Sequence, residues 1–189
     1  MPIQLLINHF NSITPLSPAA QTALQACLFL EHFPKKTILQ QQHRPAQYIY
    51  MVHTGLLRSF YHRNNKDITA VFGTENCIMC SLASLLSGEP SAYSIETLED
   101  SDIFFLELAA LEKLYDAHHD IERLGRLMIT QYYLDQEKEL RAIRFQTAEQ
   151  RYQTLLQSQP SLLQRAPLGY IASYLGISQE TLSRLRAKY

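Results

Sequence analysis

The hydrophobic pattern changes period twice along the chain, and each change marks a different kind of element. Near the start, Ile3, Leu6, Ile7 and Phe10 recur at helical spacing. Ser17-Pro18 reads as a cap followed by a first-turn residue and predicts a helix over Ala19–Cys27. From Leu28 the pattern shortens to apolar and aromatic runs: Thr37–Leu39, Tyr48–Val52, Leu56–His62, Ile68–Phe72, Ser94–Leu98 and Ile103–Leu106. Turn formers separate them at Arg44-Pro45, His53–Gly55, Asn64–Asp67 and Glu99–Asp102. Gly55 is expected to turn between paired strands, and Asn65-Lys66-Asp67 to be a hairpin tip. Short strands with frequent turns predict an antiparallel roll or barrel. One stretch, Ser81–Ser87, is helical in composition and stops at Gly88-Glu89-Pro90. Backbone N–H groups at the start of such an insertion can face an anion.

The helical period then returns. Leu108–Ala117 reads as a short helix, and Asp120 as the cap of a long one from Ile121 to about Arg144. At ~1.5 Å per residue that helix is about 36 Å long. A helix of this length calls for a second surface beyond its own domain. Ile121, Leu124, Gly125, Leu127, Met128 and Gln131 are therefore the expected seam of a homodimer, with Gly125 allowing close approach. Thr147-Ala148-Glu149-Gln150 is a capping box that starts a helix to about Gln157, and Pro160 ends it. The expected division is a roll over 1–120, a connecting dimerisation helix over 121–145 and a helical module over 146–189.

The last stretch carries the sharpest local signals. Pro167 suits a first helical turn, and Leu168, Ile171, Ala172 and Leu175 form one apolar face. Gly176 supplies a left-handed stop, Ser178 caps a second helix, and Glu180 sits in its first turn. Leu182 and Leu185 point inward, which completes a helix-turn-helix. Its outer face would hold Ser178, Gln179, Glu180, Thr181, Ser183, Arg184, Arg186 and Lys188. Gln pairs with adenine, Glu accepts from cytosine, and Arg forks onto guanine or phosphate, so this face is a candidate for reading DNA.

Charge sharpens that reading. The chain as a whole carries −1, which argues against a uniformly basic nucleic-acid binder. Residues 141–189 hold seven Lys/Arg and two Asp/Glu, a net +5, leaving −6 on residues 1–140. Three cysteines, no leader-like start and no long apolar run point to a cytoplasmic protein without disulfides. Cys77-x-x-Cys80 has redox spacing, but with Cys27 as the only other thiol core cysteines are expected. His118-His119 reads as a solvated loop, and His53 and His62 lack the spacing of a metal site. No nucleophile–base pair, phosphate loop or carboxylate pair suggests an enzyme, so no catalytic or metal residues are expected.

The order of elements resembles the Crp/Fnr family of bacterial transcription regulators over essentially the whole chain. The closest local match is Gly176-Ile-Ser-Gln-Glu-Thr-Leu-Ser-Arg184, which is similar to the family's recognition-helix signature. The resemblance implies an α+β protein: an N-terminal antiparallel jelly-roll of cyclic-nucleotide-binding type with flanking helices, a long dimerisation helix and an all-α helix-turn-helix domain. It implies a homodimer whose partners are double-stranded DNA and RNA polymerase, with Glu180 and Arg184 reading the operator. Gln179 stands where Arg or Pro is common. No β-wing is expected after the recognition helix, because Tyr189 lies five residues past Arg184.

Family members that bind cyclic AMP carry Gly-Glu-Leu in the helical insertion and Arg-Ser/Thr-Ala about ten residues on. Setting Gly88 on the cassette's internal glycine places Cys80, Ser81 and Leu82 on the first segment, and Ser91, Ala92 and Tyr93 on the second. Both charged anchors are then missing. A buried phosphate without a cation is costly, and Ser cannot replace a guanidinium fork. These six residues are the expected effector pocket, with cyclic AMP affinity lost and no cofactor. The family's four-cysteine iron–sulfur chemistry lacks a ligand here. Two alternatives stand beside this reading: a regulator that holds a different small effector between roll and long helix, and a cupin-type metalloprotein.

Overall fold

The computed structural model describes residues 2–64 and 66–189. Two helices come first, α1 (Pro2–Ile13) and α2 (Pro18–Cys27), the latter capped by the Ser17 hydroxyl, which accepts from the Ala20 N–H. Eight strands follow: β1 (Phe29–Phe33), β2 (Ile38–Gln40), β3 (Tyr48–Thr54), β4 (Leu57–Arg63), β5 (Lys66–Gly73), β6 (Ile78–Met79), β7 (Ser94–Thr97) and β8 (Ser101–Glu107). The short helix α3 (Leu82–Ser87) interrupts them and stops at Gly88, whose φ of 72° is left-handed. The strands form two antiparallel four-stranded sheets, ordered β1-β8-β3-β6 and β2-β7-β4-β5.

Alternation along the strands divides the core. Tyr50, Val52 and Ile103 of the first sheet meet Leu57 and Ile95 of the second inside the roll. Met51, Phe104 and Leu106 face the other way, onto α1, α2, α4 (Leu108–Ala117) and the start of α5 (His119–Phe145). β1 and β6 are additions to the expected strands. β1 is exposed at four of its five residues, so burial imposes no two-residue period on it, and β6 has only two residues.

Three local expectations need correction. Gly55 joins β3 to β4, which lie in different sheets and do not pair. Its φ is 112°, and a Cβ there would lie 2.5 Å from that of Ser101, so only glycine fits. The β4–β5 hairpin closes on the pair Arg63↔Lys66, so Lys66 and Asp67 already lie in the strand and not in the tip; Asn65 lies outside the described residues. Asp120 is not the cap of the long helix. That position is held by His118, while Asp120 accepts the Ser17 N–H at 2.6 Å and ties α5 to the start of α2.

α5 runs 27 residues, about 40 Å, and gives way at Gln146 to α6 (Ala148–Ser158), where both bonds of the Thr147/Gln150 capping box form. A short α7 (Leu162–Arg165), unforeseen from sequence, precedes α8 (Leu168–Tyr174) and α9 (Gln179–Lys188). Pro167 sits just outside α8, at its N-cap.

Candidate nucleic-acid interface and cavity

α8 and α9 pack through Ile171, Ala172, Leu175 and Leu182, with Leu182 fully buried. Gly176 adopts φ 67°, and the Ile177 N–H returns to Ala172 O at 3.0 Å, so the turn satisfies its own backbone. The Ser178 hydroxyl accepts from the Thr181 N–H and caps α9. Arg151 of α6 reaches under this turn and donates to Leu175 O at 2.8 Å and Gln146 O at 2.8 Å. That clamp positions the whole motif, and sequence periodicity gave no sign of it.

Ser178, Gln179, Glu180, Ser183, Arg184, Arg186 and Lys188 are exposed on α9, and Thr181 is half-buried. Glu180 and Arg184 share a face. The Ser178 hydroxyl and the nearby Arg184 charge hold the Glu180 carboxyl below the usual carboxylate range. Lys188 is otherwise engaged: its Nζ lies 2.5 Å from Glu149 Oε1 on α6. The Tyr189 hydroxyl also bonds that carboxylate. A phosphate would have to compete with Glu149 for Lys188, whereas no ion pair involves Arg186 among the described residues.

The motif is docked on the roll. α8 lies against β5, the edge strand of the second sheet, and the Ser173 hydroxyl accepts the Thr69 N–H at 3.0 Å. Phe72 meets Tyr174 edge-on, and Leu56, Phe72 and Leu98 share one core with the C-terminal helices. Arg58 on β4 is 2 % exposed. It forks onto Asp67 at 2.7 and 2.8 Å and bonds Glu96 and Thr69. Its guanidinium stacks on Phe60 and, at 3.5 Å, on the ring of Tyr170 from α8. The one sequence clue was a lone Arg inside the apolar run Leu56–Phe60.

A second ionic contact joins the same bodies. Arg165 of α7 donates two bonds to Glu75, at 2.8 and 2.9 Å, and also pairs with Glu99. These bonds lower the Glu75 pKa from 4.5 to about 2. A carboxylate with a depressed folded-state pKa stabilises fully above its unfolded value, and that stability is lost as pH falls through the folded one. The difference in urea midpoint between the wild type and Glu75→Gln should therefore hold at pH 6 and vanish between about pH 4.5 and 2. A difference independent of pH would remove the ionic account.

A cavity of about 860 Å³, partly open to solvent, lies between the roll, α5 and α8, with α1, α2 and α4 also contributing to its wall. Of the six expected pocket residues, Cys80, Ser81, Leu82 and Tyr93 line it, and Ser91 and Ala92 do not. Ser91 is 1 % exposed and structural: its hydroxyl donates to Tyr93 O, and its backbone pairs with His43 and Arg44. Burial pushes the Cys80 thiol up to about 11, which makes it a poor nucleophile. Cys27, Cys77 and Cys80 are free and half-buried rather than fully in the core. His119 opens α5, exposed, 3.6 Å from Glu122, while His53 and His62 pack on Phe104 and Phe60. Among the described residues no three His, Cys, Asp or Glu side chains converge as metal ligands, and no helix is long and apolar enough to cross a membrane.

Of the expected seam, Ile121 and Leu124 are buried in their own chain's core, and Gly125 lies against the Tyr115 hydroxyl. Ile121 and Leu124 thus pack inside their own chain, and Gly125 packs against α4. Leu127 and Met128 are half-buried and Gln131 exposed. The open apolar surface lies further along, at Tyr133, Leu134, Leu140 and Phe145, the last 82 % exposed.

Residues 30–118 match the family described as the cyclic nucleotide-binding domain. Among solved structures, FixK2 from Bradyrhizobium japonicum is similar with TM-score 0.70 and 21 % identity, covering 85 % of this chain and 83 % of that one. The global regulator CLP of Xanthomonas campestris, described as c-di-GMP responsive, gives 0.69 at 15 % identity, with 91 % of each chain covered. The catabolite activator protein of Thermus thermophilus gives 0.58 at 19 % identity, with 100 % and 86 % covered. No curated protein matches the chain.

Proposed function

We propose that this chain, with a cyclic nucleotide-binding domain match over residues 30–118 in the fold of the Crp/Fnr transcription regulators, is itself a sequence-specific DNA-binding regulator acting as a homodimer. It binds and regulates and is not an enzyme, and it works in the cytoplasm beside DNA and RNA polymerase. The observation that carries the reading is α9: a capped helix held from behind by Arg151, with Glu180 and Arg184 exposed on one outward face. The net +5 of residues 141–189 supports it. The exposed second half of α5, from Gln131 through Leu134 to Phe145, supports a dimer seam shifted toward the C-terminal end of that helix. The absence of any Lys, Arg or His among the residues that line the cavity, where Ser81 takes the place of a charged anchor, supports loss of cyclic AMP binding.

Selection of bound sites from random duplex DNA with the full chain tests this. The expected product is an inverted repeat with half-sites about 34 Å apart, one DNA turn. A single unrepeated half-site would remove the dimer, and no salt-dependent binding would remove the function. On the selected site, Arg184→Ala should cost about 1–3 kcal/mol and relax one base pair. Arg186→Ala should weaken all sequences alike and lower the salt slope by about one. Equal losses for Arg184→Ala on selected and random DNA would sink the readout role.

A further inference from the structure

The roll cavity is built for a different chemistry from a nucleotide phosphate. At about 860 Å³ it falls in the ~300–1,000 Å³ range of small-molecule sites. Its wall is mostly apolar, with Ala70 from β5, Leu85 from α3 and Met128 from α5 among the contributors. No Lys, Arg or His lines it; its two charged residues are the acids Glu112 and Glu139. An anion placed there would meet two carboxylates and find no cation. A cation gains little in return, because burial raises the Glu139 carboxyl above its ordinary range and brings it closer to the neutral form. What remains are neutral polar residues, among them Tyr61, Tyr132 and Gln136.

The cavity also touches the DNA-binding motif directly. Ser173 and Tyr174 of α8 form part of its wall. Tyr174 faces the Glu139 carboxylate of α5 on one side and packs on Phe72 of β5 on the other. Any occupant large enough to fill the space therefore presses on α8, α5 and β5 together.

We infer that this cavity binds an uncharged, predominantly apolar small molecule with a few hydrogen-bonding atoms, and that α8 senses its occupancy by direct contact. The inference names the effector class for the regulator proposed above. It rests on that reading only for the purpose of the signal, not for the binding itself.

The uncharged fluorophore N-phenyl-1-naphthylamine, titrated into the full chain, tests it without DNA. Saturable binding at one probe per chain is expected. It should be lost on filling the cavity with Ala70→Trp or, independently, Met128→Trp, each verified as folded by circular dichroism. A large excess of cyclic AMP should not displace the probe. The chain contains no tryptophan, so Tyr174→Trp places a single indole on the α8 wall. Its emission should fall along the same isotherm as probe fluorescence rises. Three results overturn the inference. The first is no saturable binding, the outcome if a second copy's α5 fills the space. The second is binding untouched by both filling variants. The third is displacement by cyclic AMP. An indole emission blind to the probe overturns the sensing role of α8. Because no arm uses DNA, failure of DNA binding would remove the regulator reading and leave this one standing.

Discussion

Arg58→Ala is expected to destabilise the chain by about 3–5 kcal/mol, the cost of removing one partner from a buried ionic cluster. The reason lies in what stays behind. Glu96, 12 % exposed, would be left buried without the guanidinium that now bonds it, whereas Asp67, 34 % exposed, can turn to water. Tyr170 would lose the cation under its ring, so α8 would lose its hold on the roll as well. Arg58→Lys should recover only part of the loss, because an ammonium keeps the charge but cannot fork onto Asp67 and stack on two rings. Replacing all three ionic residues with apolar ones of similar size should be far milder than Arg58→Ala, since no charge is then stranded. Urea unfolding of the three variants at pH 7 distinguishes these cases. A loss near zero for Arg58→Ala would mean that the cluster is solvated and not structural.

Leu182→Ala should cost about 2–5 kcal/mol and remove DNA binding on every sequence alike. Leu182 is fully buried where α9 crosses α8, against a core that includes Ile171, Ala172 and Leu175. The truncated side chain leaves a cavity at the centre of the contact between the two helices, so α9 loses its angle before the roll unfolds. This separates it from Arg184→Ala, which leaves the motif intact and should alter only selectivity. Urea unfolding combined with mobility shift on selected and random duplexes checks it. A variant that kept selective binding at wild-type strength would show that α9 is positioned by other contacts.

What could be read in the sequence was whatever depends on neighbours a few residues apart. Ser17, Thr147 and Ser178 cap helices through bonds from the third residue beyond. Gly88 and Gly176 end helices through their own φ. The apolar faces of α1, α8 and α9 follow from spacing alone. Those local rules were enough for an α+β roll followed by a helix-turn-helix, and for the placing of Glu180 and Arg184 on one helix face.

Tertiary structure decided everything that joins residues far apart in the chain. Nothing near Asp120 indicates that it serves Ser17, 103 positions earlier, instead of capping its own helix. Nothing near Lys188 indicates Glu149, and nothing near Arg165 indicates Glu75. The long helix shows the same limit. Its apolar residues run all the way along it, but only the docking of α1, α2 and α4 sends Ile121 and Leu124 inward and leaves Leu134 and Phe145 open. Hydrophobic burial has no direction of its own, so an apolar stripe specifies that a face is covered and not what covers it. Hydrogen bonds and ion pairs do have direction, but their partners are known only once the chain has brought them within about 3 Å.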